Sequence, residues 1–322
     1  MKVLILLTVL ISLPVFAATK IVVGVSPALS SAGLYLAKEK GYFSKSGLDV
    51  EFVTMGNSTA DMVTLLSENQ IQVAAGNITA GLFNAFSKGA GFKIVADKGT
   101  LNEHAQYLWL MVKKDLVDNG TIKSLKNLKG KKIGLPSIEG SSQQIVLAKI
   151  LESVGLTLSD VQLVKIGYAE MKMGLTNSII DAAIQLEPYI FDLVTENIAV
   201  KYASAQKYLP NQQSAVLLYS AGFMKKENDT TATQFMKAYL QGVKDYNASV
   251  VDQKLWEAQV PLLNKYVKLK SGTWNKLEPV GLSELGTVDM TSLENDFKWY
   301  KANKFSRNDI QIKQLLELKY LH

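Results

Sequence analysis

Beyond residue 18 the apolar positions fall into short β-branched runs, separated by stretches in which they recur every three to four residues. The first run, ending at Pro27, predicts a buried strand over 20–26. Further strands are predicted over 48–53, 72–75 and 92–96, with helices over 32–40, 57–68 and 78–88 between them. A second series repeats the arrangement. Its strands cover 107–112, 131–135, 161–166 and 179–184, and its helices cover 141–154, 169–175 and 188–195. Strands alternating with helices of this length mean βαβ units and mainly parallel sheets. After a strand over 215–219 the pattern turns helical, over 231–251, 255–268, 293–302 and 310–318. The strands 107–112 and 215–219 bracket the second series and read as paired crossover strands. The expected architecture is α/β: two lobes joined by two hinge strands, with a ligand cleft between them. Lobe one takes 18–110 and is completed by 215–322, and lobe two takes 111–214.

Composition narrows the chemistry. The 322 residues include no cysteine and two histidines, His104 and His322. Disulfide frameworks, thiolate metal sites and cysteine nucleophiles are therefore excluded, and a histidine metal centre is not expected. His104, in NEHAQY, reads as a loop or hinge residue. The formal charge is +6, but of 35 basic residues only Arg307 is an arginine. Nucleic-acid sites rely on arginine forks, so the charge reads as a solvated lysine surface, with no nucleic-acid partner expected.

The N-terminus has a different design. Lys2 precedes the apolar run 3–16, and the small residues Ala17 and Ala18 follow. A basic start, an apolar stretch and a small-residue exit predict a cleavable export signal over 1–17. The run is shorter than the ~20 residues that span a bilayer, and a lipoprotein would need a cysteine. The expectation is a soluble, monomeric periplasmic protein.

In open α/β sheets, ligands bind beyond the carboxyl ends of the strands. That rule selects Ser30, Ser31, Asn57, Asn77 and Thr79 in lobe one. In lobe two it selects Ser137, Gly140, Ser141, Ser142, Tyr168, Gln185 and Glu187. Ser, Thr and Asn are also the preferred helix caps, so each can be a cap, a ligand contact or both. Glu187 either complements a helix dipole or accepts from an N–H donor of the ligand. Tyr35, Phe83, Tyr107, Trp109, Tyr168 and Tyr189 lie on elements approaching the cleft. Most belong to the core, and one or two are available to stack on a planar ring. With no arginine in the strand-end loops, amides, Glu187 and aromatics favour a neutral or weakly basic heterocycle, while oxyanions retain helix N-termini.

Several segments carry a family resemblance. Residues 26–53 hold Tyr35, Ala37, Gly41-Tyr42-Phe43 and Gly47-Leu48-Asp49-Val50, as in the opening of the NMT1/THI5-like and nitrate/sulfonate/taurine solute-binding proteins. Segments 77–89, 128–142 and 174–190, the last with Glu187-Pro188, are similar to the same family and follow in the same order. The resemblance implies a type II periplasmic-binding fold, non-catalytic and without a cofactor. Its ligand would be a small molecule (a pyrimidine-like heterocycle or a sulfonate) and its partner an ABC permease in the inner membrane. Pyrimidine synthases that resemble the family carry a cysteine-rich motif and a reactant histidine, and this chain lacks the cysteines. A ligand sensor for a membrane receptor is the other alternative.

Overall fold

The computed structural model describes residues 18–55, 59–269 and 272–322. The predicted export signal and Asn57 lie outside these residues. The chain builds two five-stranded sheets. The first contains β1 (Thr19–Val25), β2 (Leu48–Thr54), β3 (Val73–Asn77), β4 (Phe92–Thr100) and β10 (Gln213–Ser220), in the order β2-β1-β3-β10-β4. The second contains β5 (Leu108–Lys113), β6 (Lys132–Leu135), β7 (Gln162–Lys165), β8 (Ala182–Leu186) and β9 (Ala199–Ser204), in the order β7-β6-β8-β5-β9.

Both sheets are mixed. β10 runs antiparallel to β3 and β4, and β5 runs antiparallel to β8 and β9. The strands predicted over 107–112 and 215–219 are not hydrogen-bonded to each other. Each is built into its own sheet, and the crossovers proper are the segments 101–107 and 205–212 that lead into them. β9 was not expected from the sequence. It is an edge strand bonded only to β5, and Lys201 and Tyr202 interrupt its apolar pattern. The helix predicted over 310–318 is only a 3-10 turn, Ile312–Leu315. The chain there is pulled straight to bridge Leu316 to Ile94.

Helices cover the sheets and fix the lobes' shape. The 22-residue helix Asp229–Val250 buries Phe235, Tyr239, Val243 and Tyr246 at helical spacing. It crosses the helix Ala32–Glu39 at two glycines. A Cβ on Gly242 would stand 2.0 Å from the Gly33 carbonyl oxygen, so the close approach requires glycine there. That contact seats the first strand-end loop, which carries part of the cleft.

Candidate functional site

The lobes touch across the cleft. The Ala80 N–H, at the start of helix Ala80–Ser87 in lobe one, donates to the Gly140 carbonyl of lobe two at 2.8 Å. Thr79 and Ser141 form an antiparallel bridge beside it. At the crossovers, Tyr107 Oη and Ser214 Oγ share a hydrogen bond of 2.5 Å. On the far lip, Lys201 on β9 pairs at 2.6 Å with Glu278, in the segment that Tyr246 and Thr100 hold onto lobe one.

These contacts enclose a tight cavity between the lobes, with a free volume of about 40 Å³. Lobe one supplies the loop 26–30, Asn77 and Lys98. Lobe two supplies Gln143, Tyr168, Glu187 and Tyr189, while Tyr107 and Ser214 form the back wall. A broader groove runs along the crossover at 209–212, but its buried carboxylate is satisfied. Gln212 Nε2 donates to both oxygens of Asp296, at 3.0 and 2.9 Å.

Of the residues selected from the sequence, Ser30, Asn77 and Glu187 line the cavity, as do Tyr107, Tyr168 and Tyr189 among the aromatics. Ser31 and Tyr35 sit one layer below. The Tyr35 hydroxyl donates to the Ser26 carbonyl at 2.8 Å, Ser31 Oγ donates to the same oxygen at 3.5 Å, and the Tyr35 ring stacks on Tyr266. They therefore position the Ser26 loop. Thr79 and Ser141 cap their helices, accepting from the Leu82 and Gln144 N–H groups, both at 3.2 Å. Ser137 accepts the Glu139 N–H and its carbonyl receives the Ser141 hydroxyl, while Ser142 donates to Gln143. Gly140 has φ +86° and presses on Ala80, so it shapes the contact between lobes. The Gln185 amide is consumed internally, by the Tyr168 carbonyl and the Leu186 N–H.

Two charged side chains dominate the cavity. Glu187 is 2% exposed, and its backbone N–H donates to the Tyr107 carbonyl at 2.9 Å, tying it to the crossover. Its Oε2 accepts a long bond from the Phe191 N–H at 3.3 Å, and Oε1 lies 3.9 Å from Lys201. Burial pushes its carboxyl up to about 7, against the pull of Lys201. Lys98 is 1% exposed, and burial drives its ammonium down to about 8 even though Asp97 favours the charge. Sequence reasoning missed Lys98, Ser26, Gln143 and Ser214. Ser26 directly follows β1, so the strand-end rule applied one residue earlier would have found it. Tyr168 is buried, and its hydroxyl has no hydrogen-bond partner among the described residues. Among the described residues no three Asp, Glu or His side chains gather into a metal-holding group, and no helix is long and apolar enough to cross a membrane.

Two mixed α/β lobes, a double crossover and a cleft at the strand ends define the type II periplasmic-binding fold. Solved structures with this fold include the ligand-binding component of an ABC-type import system from Staphylococcus aureus with zinc bound. It is 17% identical with a TM-score of 0.76, covering 94% of this chain and 98% of the other. The periplasmic aliphatic sulphonate binding protein SsuA from Escherichia coli is also 17% identical, with a TM-score of 0.73 and coverage of 92% and 97%. The sequence model described as NMT1/THI5 like matches residues 29–249, and the chain belongs to that family. A curated relative, the 4-amino-5-hydroxymethyl-2-methylpyrimidine phosphate synthase of Aspergillus parasiticus, is 28% identical over 156 residues. That match spans 48% of this chain and 42% of the relative.

Proposed function

We propose that the chain is the solute-binding receptor of an ABC importer and works outside the cytoplasmic membrane after cleavage of residues 1–17. It takes a small organic molecule, a pyrimidine-like heterocycle or a sulfonate, into the cleft. The lobes close on it and deliver it to the permease. The observation that carries this reading is the cavity itself. Its walls come from both lobes, and it holds the buried Tyr168 hydroxyl, which has no hydrogen-bond partner among the described residues. Ligand contacts made to both walls at once favour the closed arrangement over the open one.

The synthase relative favours a second reading, an enzyme on the same fold. Against it stands His104, the only histidine before the C-terminal residue. Its side chain is 85% exposed, close to Glu103, and does not line the cavity. A thermal-shift screen of residues 18–322 against sulfonates, nitrate, aminopyrimidines and carboxylates tests the receptor reading. Stabilisation follows RT ln(1 + [L]/Kd), about 2.7 kcal/mol at a hundredfold excess over Kd. Recovery of the bound compound chemically unchanged supports a receptor, and its conversion on the protein supports the enzyme.

A further inference from the structure

Each lobe brings one buried ionisable side chain to the cleft, and the two are not paired with each other. Lys98 lies in the last part of β4, and its ammonium donates no hydrogen bond and forms no ion pair among the described residues. The neighbouring Asp97 carboxylate favours the ammonium only in part and makes no hydrogen bond to it. It is already engaged by the Gly99 and Ser283 N–H groups, the Thr100 hydroxyl and the Gln213 amide. Glu187, on the lobe-two wall, has a long hydrogen bond from the Phe191 N–H, help from the Glu278 backbone, and a distant Lys201 that is itself paired with Glu278, and burial still outweighs all three. The Tyr168 hydroxyl adds a third buried group, with no hydrogen-bond partner among the described residues. Buried charges without partners are strongly unfavourable, and one-sided compensation leaves the other still exposed to that cost. An anion alone would neutralise Lys98 while repelling Glu187. A basic or neutral donor alone would satisfy Glu187 and strand the ammonium.

We propose that the ligand is amphoteric: one molecule whose oxyanion, such as a carboxylate, rests on Lys98 of lobe one, and whose amine or ring N–H donates to Glu187 of lobe two. The claim rests on the solute-receptor reading above and narrows it. The two ends of the ligand then add, inside the cavity, an ionic bridge between lobes beside the Lys201–Glu278 pair at the lip. The Tyr168 hydroxyl is free to donate to the oxyanion.

Two probe sets test this by isothermal calorimetry: 3-aminopropanoate with propanoate and propylamine, and 4-aminopyrimidine-5-carboxylate with 4-aminopyrimidine and pyrimidine-5-carboxylate. The expected result is that, in at least one set, the bifunctional member binds at least 100-fold more tightly than either half. Lys98→Met should abolish the preference over the amine-only half, and Glu187→Gln the preference over the acid-only half, with unfolding curves confirming that both variants fold. A half-ligand that binds as well as the whole, selectivity unmoved by either variant, or no binding by any probe overturns the proposal. Native mass spectrometry after incubation with a bacterial small-molecule extract separates this failure from that of the receptor reading. A captured compound lacking either charge type overturns only the amphoteric class, and a captured amphoteric compound supports it. Capture of nothing overturns both.

Discussion

Replacing Lys98 by Met should make the protein more stable and a poorer binder at once. Burial lowers the ammonium from 10.5 to about 8. That fall, roughly 2.5 decades of proton affinity at about 1.4 kcal/mol each, puts the cost of the charged form at about 3 kcal/mol in the folded protein. The sign follows from linkage. Below about 8 the lysine is charged in both folded and unfolded chains, and the full cost is present. Between about 8 and 10.5 the unfolded chain binds more protons, so the stability of the native sequence rises with pH. Above 10.5 both states are neutral and the cost is gone. Met is close to Lys in length and carries no charge. Urea denaturation of the ligand-free proteins should therefore show Lys98→Met ahead by about 3 kcal/mol at pH 7, with the gap closing as pH approaches 10.5. A variant less stable at pH 7, or a gap that does not change with pH, would refute the reasoning. Either would mean that the native ammonium is compensated within the protein.

Three further outcomes are expected. Gly140→Ala places a Cβ 2.6 Å from Ala80 and 3.0 Å from Phe305 at a residue with φ +86°. It should hold the lobes apart, enlarge the radius of gyration in small-angle scattering with ligand present, and weaken binding about tenfold or more, since each lost 1.4 kcal/mol is tenfold. Lys201→Met removes the pair with Glu278, which is partly exposed and contributes at most about 1 kcal/mol to closure. Calorimetry should therefore show a Kd raised about fivefold or less, and a loss of a hundredfold would give Lys201 a direct ligand contact instead. Burial raises the Asp296 carboxyl to about 8 against the hydrogen bond from Gln212. A raised acid is ionised more readily in the unfolded chain, so native stability should fall relative to Asp296→Asn as pH rises from about 4 to 8. Parallel denaturation curves across that range would contradict this.

What was legible in the sequence follows from periodicity. β1, β3 and β6 are short apolar runs with turn residues at their ends, and each lies within two residues of where the pattern puts it, whereas β8 starts three residues later than predicted, at Ala182. The strand-end rule then drew attention to Ser30, Asn77 and Glu187, all of which line the cavity. Lys98 was illegible for a physical reason. The tetrapeptide Asp97-Lys98-Gly99-Thr100 has the composition of a turn, so the predicted strand stops at Ala96. Asp97 stays in the strand because the C-terminal segment at Ser283 brings it hydrogen bonds from far along the chain, a contact no local pattern encodes. Thr79 and Ser141 show the complementary limit. A cap and a ligand contact need the same residue types, and only the packing of one lobe on the other shows where their hydroxyls are spent.

The position of β10 bears on how the molecule can be assembled. That strand lies between β3 and β4 and is bonded to both, yet it follows them by more than a hundred residues. Every strand of the second sheet lies between Leu108 and Ser204, so that lobe has all its pairing partners within one continuous stretch. The first lobe begins the chain but is finished last. Until synthesis has passed Ser220, β3 and β4 face a gap where a neighbour belongs, each with a row of unpaired amides. Closing that gap carries the entropic cost of a long loop, and a second lobe already folded shortens that loop, because the chain ends it leaves at Thr100 and Gln213 are paired in the finished sheet.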